Sequence, residues 1–111
     1  MTNSSKVKGS QYERDVVAYL KAHGFPKAQR RYGAGATNDT GDVHGVPDFV
    51  LELKAEKAID LAGYMDETET EKLNANETYG AAIIKRRNRN VSQSYVVMDL
   101  ASFCEFIKER A

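Results

Sequence analysis

The stretch that most constrains the fold is GDVHGVPDFVLELK, residues 41–54. Phe49, Leu51 and Leu53 alternate with Val50, Glu52 and Lys54. A period of two is the mark of a β-strand whose two faces meet different surroundings. Val46-Pro47-Asp48 ahead of it has turn chemistry, because Pro presets its φ and Asp bonds back to its own backbone. The reading is two strands folded back on each other around Pro47, with Phe49, Leu51 and Leu53 supplying core. Asp48 is a turn residue here. It lies about 13 Å along the strand from Glu52 at about 3.3 Å per residue, too far to share an ion with it.

The second face of the strand poses the functional question. On an exposed strand, Glu52 and Lys54 would be a plain surface ion pair of little consequence. If the hairpin turns about Pro47, however, residues equidistant from it face each other, and Asp42 falls opposite Glu52. Directly opposed residues have Cβ atoms roughly 4.5–5.5 Å apart. Two carboxylates that close repel unless something lies between them. A divalent cation removes the repulsion, and hard oxygen ligands favour Mg²⁺ or Mn²⁺ over Zn²⁺. A register shift of one residue would send Asp42 to the other face.

Around this hairpin the chain reads as one domain. Residues 1–8 form a loose basic tail and residues 9–111 the folded unit. A helix starts after Gly9, with Ser10 and Glu13 spaced as a capping box and Tyr12, Val16, Tyr19 and Leu20 at helical intervals. It ends near Gly24-Phe25-Pro26. Residues 27–32 form a short strand and the Gly-rich residues 33–41 a mobile loop that closes beside the acids. After the hairpin come a loop over 57–63, an exposed acidic helix over 64–78, a strand at 81–85, a basic turn at 86–93 and a strand at 95–98. Asp99 N-caps a last helix whose core face is Leu100, Phe103, Cys104 and Ile107. The order is αβββαββα, an α/β fold with a mixed sheet of about five strands flanked by helices.

Net charge is zero, yet the charges are segregated. Residues 1–31 carry seven Lys and Arg against two acids, KRRNR at 85–89 adds four, and residues 55–77 carry seven acids against two lysines. A neutral total can therefore hide a basic face opposite an acidic one. No apolar run approaches the ~20 residues of a membrane span, and the N-terminus lacks the apolar stretch of a signal peptide. With the lone Cys104 read as a small buried hydrophobe, the expectation is a cytoplasmic protein. The Gly-rich loop has no P-loop lysine, so no nucleotide cofactor is expected.

Two residues stay open on this reading. Glu13 is either the N3 acid of the capping box or a third carboxylate aimed at the cluster. His44 is a turn histidine or a proton shuttle beside Asp42. His23 fits the C-terminal end of its helix, and Tyr12, Tyr19 and Tyr95 fit core or interface.

The ordered pattern KGSQYER, then GF and RR, then GD, then ELK resembles the Holliday junction resolvases of archaea and phages, within the PD-(D/E)xK nucleases. The likeness runs from about Lys8 to Lys54 and, more weakly, through AAIIKRR and YVVMDLASFCEFI. It departs where phage relatives often carry a Gln on the helix after the motif; here YMDETETEK offers only acids and Thr. The resemblance implies Mg²⁺-dependent hydrolysis of DNA phosphodiesters, with recombination and repair as the setting. Asp42, Glu52 and the carbonyl of Leu53 would hold the metal, Glu13 would assist directly or through water, and Lys54 would meet the attacking water or the phosphate.

Lys6, Lys8, Arg30, Arg31, Lys85, Arg86, Arg87 and Arg89 are the candidate phosphate contacts. No recognition-helix motif or zinc finger suggests base reading, which suits an enzyme that reads shape. A four-way junction cut symmetrically needs two sites, hence a homodimer, with Phe106 as a candidate subunit contact. The alternatives are a related nuclease acting on flaps, ends or duplex DNA, and a non-catalytic nucleic-acid-binding or protein-interaction module that docks through the acidic segment.

Overall fold

A computed structural model describes residues 4–31 and 41–110, with side chains from residue 9 onward. The observed order is α1 (Ser4–Ala22), β1 (Gln29–Arg30), β2 (Val43–His44), β3 (Phe49–Lys54), α2 (Leu61–Ala75), β4 (Tyr79–Ile84), β5 (Tyr95–Val97) and α3 (Leu100–Lys108). The strands form one five-stranded mixed sheet in the order β1-β2-β3-β4-β5. Only β3 and β4 run parallel, joined by α2 as the crossover. The expected α/β class and element order are both observed.

The hairpin register is the expected one, with Val43 paired to Leu51. Gly45 and Asp48 close the turn with φ of 93° and 70°. The Asp48 carbonyl accepts from Tyr79 N at 2.8 Å, so the turn also anchors the start of β4. Asp48 is thus a turn residue.

The alternation in β3 sorts the molecule into two layers. Leu51 and Leu53 are buried with Tyr12, Val16 and Val17 of α1 and with Ala28, Val43, Ala81 and Ile83. Val50, Glu52 and Lys54 face the other way, in register with Gly80, Ala82 and Ile84 of β4. That second face is not open to water as a plain surface strand would be. It is covered by α2, which packs across β3 and β4.

Several sequence expectations are corrected. α1 begins at Ser4, so the backbone of residues 4–8 is helical, and Ser10 lies inside the helix where it cannot N-cap. No capping box with Glu13 exists. α2 runs from Leu61 to Ala75 rather than 64–78, started by Asp60, whose side chain accepts from Gly63 N, and stopped by left-handed Asn76. It is not an exposed helix, since Tyr64, Thr68 and Glu71 are buried. Asp99 does cap α3, accepting from Ser102 N at 2.7 Å, but the packing face of α3 is not the expected one. Phe106 points inward and meets Phe49 and Tyr79 edge-on at 5.5 and 5.7 Å between ring centres. Leu100, Phe103 and Ile107 are exposed, as is Cys104. Phe106 is therefore half-buried in an aromatic corner, and Cys104 is not in the core. The Gly-rich loop lies outside the described residues except for Gly41.

Candidate metal centre

Asp42 enters the site through the glycine before it. Gly41 has φ +94°, and a Cβ there would lie 2.7 Å from Val50 Cγ1. The GD pair is thus a backbone requirement as well as a chemical one. Asp42 is then fixed on three sides. Its N–H donates to Leu51 O at 2.9 Å, its carbonyl accepts from Arg31 N at 2.9 Å, and its Oδ2 accepts from Leu53 N at 2.8 Å. The N–H and C=O of one strand residue point the same way, so the Leu53 carbonyl lies on the Asp42 side of β3.

Glu52 sits at the centre. It is 5% exposed, and its Oε2 is buried without a hydrogen-bond donor. Burial, then hydrogen bonding to Glu71 and Asp42 and the negative charge of both, push its carboxyl up to about 12. In water such an acid ionises near 4; here its burial and its acidic neighbours disfavour the ionised form.

The other acids come from α2. Oxygens of Glu52, Glu67 and Glu71 all lie within 4.8 Å of one another, a group able to hold a metal ion. Their approach depends on small residues in β4. A Cβ on Gly80 would stand 2.8 Å from Thr68 Cγ2. Without side chains at Gly80, and with only a methyl at Ala82, α2 lies close to the sheet and its buried edge reaches Glu52.

Lys54 is drawn into the same group. Its Nζ is 2.8 Å from Glu67 Oε1, 3.8 Å from Glu52 Oε1, and 5.1 Å from the centre of the Tyr64 ring. Burial opposes its charge, but the hydrogen bond to Glu67 and the charges of Glu52, Glu67 and Glu56 outweigh it, and its pKa is raised. The Tyr64 hydroxyl donates to Glu56 Oε2 at 2.7 Å, closing the cluster from the loop before α2.

The chain matches no known protein-family model, no curated protein and no solved structure.

The expected residues therefore divide. Asp42, Glu52, Leu53 and Lys54 are brought together. Glu13 is held instead by Arg30, whose Nε lies 3.1 Å from Glu13 Oε1. Arg30 is correspondingly turned to an acid of its own chain. His44 is exposed in β2, paired across from Gln29. His23 bonds Tyr19 O through Nδ1 at 2.8 Å at the end of α1, as a C-terminal histidine should. Tyr12 is buried and donates to Ser94 Oγ at 2.7 Å. The side chains of Lys6 and Lys8 lie outside the described residues.

Sequence reasoning missed Glu67 and Glu71. Their signal was present as the spacing Tyr64, Thr68, Glu71, a helical stripe opposite the small residues Gly80 and Ala82.

Beside Lys54 opens a cleft of about 770 Å³ whose lining includes Leu53, Lys54, Glu56, Lys57, Lys85 and Arg87. Four cations border it. Arg86 turns away and stacks over Tyr95 at 5.0 Å, while Arg89 is exposed in the same turn.

Proposed function

We propose that this chain is a Mg²⁺-dependent endonuclease that hydrolyses DNA phosphodiesters, with branched DNA such as a four-way junction as its substrate. The observation that carries this reading is the meeting of Asp42 and Glu52 beside Lys54 at the mouth of a cationic cleft. The buried carboxyl of Glu52 beside Asp42, with oxygen ligands only, fits a hard divalent cation.

Asp42, Glu52 and the Leu53 carbonyl would hold that ion, and Mn²⁺ would substitute. When bound, it acts as a Lewis acid and supplies a water of lowered pKa. Lys54 then places a positive charge where the phosphate gains negative charge. Lys57, Lys85 and Arg87 draw the backbone of DNA along the cleft without reading bases. Paired cuts across a junction require two copies of the chain. The exposed apolar side chains of β5 and α3, including Val96, Leu100 and Phe103, offer the surface for a homodimer.

The test is cleavage of a synthetic four-way junction, with a linear duplex of the same sequence as control, across a Mg²⁺ titration. Wild type should cut the junction in preference to the duplex. Asp42→Asn and Lys54→Ala should each lose ~10²–10³ in rate. Two variants that cut as fast as wild type would remove the enzymatic reading; preference for flaps or ends would move it to a related nuclease.

A further inference from the structure

We propose that Tyr95 and Arg86 form a stacking platform for an unpaired nucleobase, so that the DNA this chain takes carries a single-stranded segment close to the scissile phosphate. The inference deepens the nuclease reading and rests on it only for the position of the cut.

Strand register places the ring. Lys54 pairs with Ile84, and Ile84 with Tyr95. Paired residues point to one face of a sheet, so Tyr95 stands on the face that carries Lys54 and Glu52, two strand spacings or about 10 Å from Lys54. That span corresponds to about three stacked nucleotides. Val96, the next residue, points to the opposite face. The ring is therefore apart from the apolar surface offered for a homodimer.

Tyr95 is 49% exposed, and Arg86 Cζ lies 5.0 Å from the centre of its ring. The basic turn between β4 and β5 has other braces. Lys85 N donates to Lys54 O at 2.9 Å, Asn90 Oδ1 accepts from Ser92 N at 2.9 Å, and Ser94 Oγ accepts from the Tyr12 hydroxyl at 2.7 Å. These bonds hold both ends of the turn and fix the platform relative to Lys54. Ring and guanidinium present flat faces of the kind on which bases stack, whatever the sequence. A base inside a duplex has its faces covered by neighbouring pairs, so only an unpaired or splayed base can use them. Lys85, Arg87 and Asn88 line the adjoining cleft, and the two cations draw the backbone of the same strand.

The experiment measures binding in EDTA, by fluorescence anisotropy of a labelled oligothymidylate and of a blunt duplex across a salt series. Wild type should bind both. Tyr95→Ala should weaken oligothymidylate binding roughly 5–100-fold and leave duplex binding near that of wild type. Its slope of log affinity against log salt should be unchanged, since no charge is removed, whereas Lys85→Ala should lower the single-strand slope by about 0.7. Tyr95→Phe, which keeps the ring, should bind as wild type does. Oligothymidylate that fails to bind wild type, or binds Tyr95→Ala equally well, overturns the platform. So does a loss shared equally by the duplex, or a changed salt slope in Tyr95→Ala, because either reports a displaced turn rather than a lost stack. No metal enters these measurements, so junction cleavage in Mg²⁺ stands or falls separately and the two failures are distinguishable.

Discussion

Leu53 donates its backbone N–H to Asp42 Oδ2 at 2.8 Å. The bond ties the residue between Glu52 and Lys54 to the acid facing Glu52, so strand geometry and site geometry are held by one contact. It also means that Asp42 has a structural duty separable from ion binding. Asp42→Asn keeps an acceptor for Leu53 N–H and should unfold in urea close to wild type. Asp42→Ala leaves that donor without a partner and should cost about 1–3 kcal/mol. Both should lose Mg²⁺ affinity. Paired urea melts and Mg²⁺ titrations check the split.

Glu52 gives the cation-free protein a pH signature. Its folded value is raised, by burial first and by Glu71 and Asp42 next. Above its ordinary value the unfolded chain releases the proton while the folded one keeps it, so the unfolded state binds fewer protons and stability falls as pH rises. The contribution is complete below about 4 and is lost as pH climbs toward the folded value. Urea melts in EDTA from pH 5 to 9 should show stability declining by at most about 1.4 kcal/mol per unit from this group. Glu52→Gln should flatten the slope. Mg²⁺ should reverse the decline in wild type, because it binds the ionised site of the folded state alone.

The face of α3 that carries Phe106 can be told from the face that carries Phe103. Phe106 sits edge-on to Phe49 and Tyr79, with Arg110 3.9 Å from its ring centre. Phe106→Ala should cost about 2–4 kcal/mol, near the low end of buried aromatic truncations because the ring is only half-buried. Phe103 is 49% exposed. Phe103→Ser should leave monomer stability within about 0.5 kcal/mol while lowering the population of the proposed homodimer at a given concentration. Thermal melts and sedimentation velocity on the two variants separate core from interface.

The strand hairpin was legible because a period of two over 49–54 and a Pro turn leave one register that buries Leu51 and Leu53. That register carried Asp42 to Glu52. The α2 acids were not legible because charge argues for exposure, and the opposing cue lies elsewhere in the chain, at Gly80 and Ala82. The face of α3 was misread for a related reason. Leu100, Phe103, Cys104 and Ile107 make the more regular apolar stripe, but the tertiary site available to α3 is an aromatic corner at Phe49 and Tyr79 that takes Phe106. Glu13 was open between two roles; α1 extends back to Ser4, which removes the capping role, and Arg30 stands opposite its carboxylate.

Gly80 tests whether the closeness of α2 to the sheet makes the site. The residue has no room for a Cβ, which would press on Thr68 Cγ2 at 2.8 Å and approach Thr68 O at 3.4 Å. Thr68 is 1% exposed and its hydroxyl is committed to Tyr64 O at 2.7 Å, so it cannot rotate away without losing that bond. Gly80→Ala must therefore lift the helix. Overpacking of this kind costs about 1–3 kcal/mol. The larger consequence falls on Glu71 and Glu67, which move outward from Glu52 while Asp42, on its own strand, stays in place. Mn²⁺ affinity of the Glu52, Glu67 and Glu71 group should fall at least tenfold. Gly41→Ala makes the reciprocal case, because a Cβ there presses on Val50 and displaces Asp42 instead. Equal loss of Mn²⁺ affinity in both variants, with the folds intact by circular dichroism, would show that the helix and the hairpin do not position the acids independently.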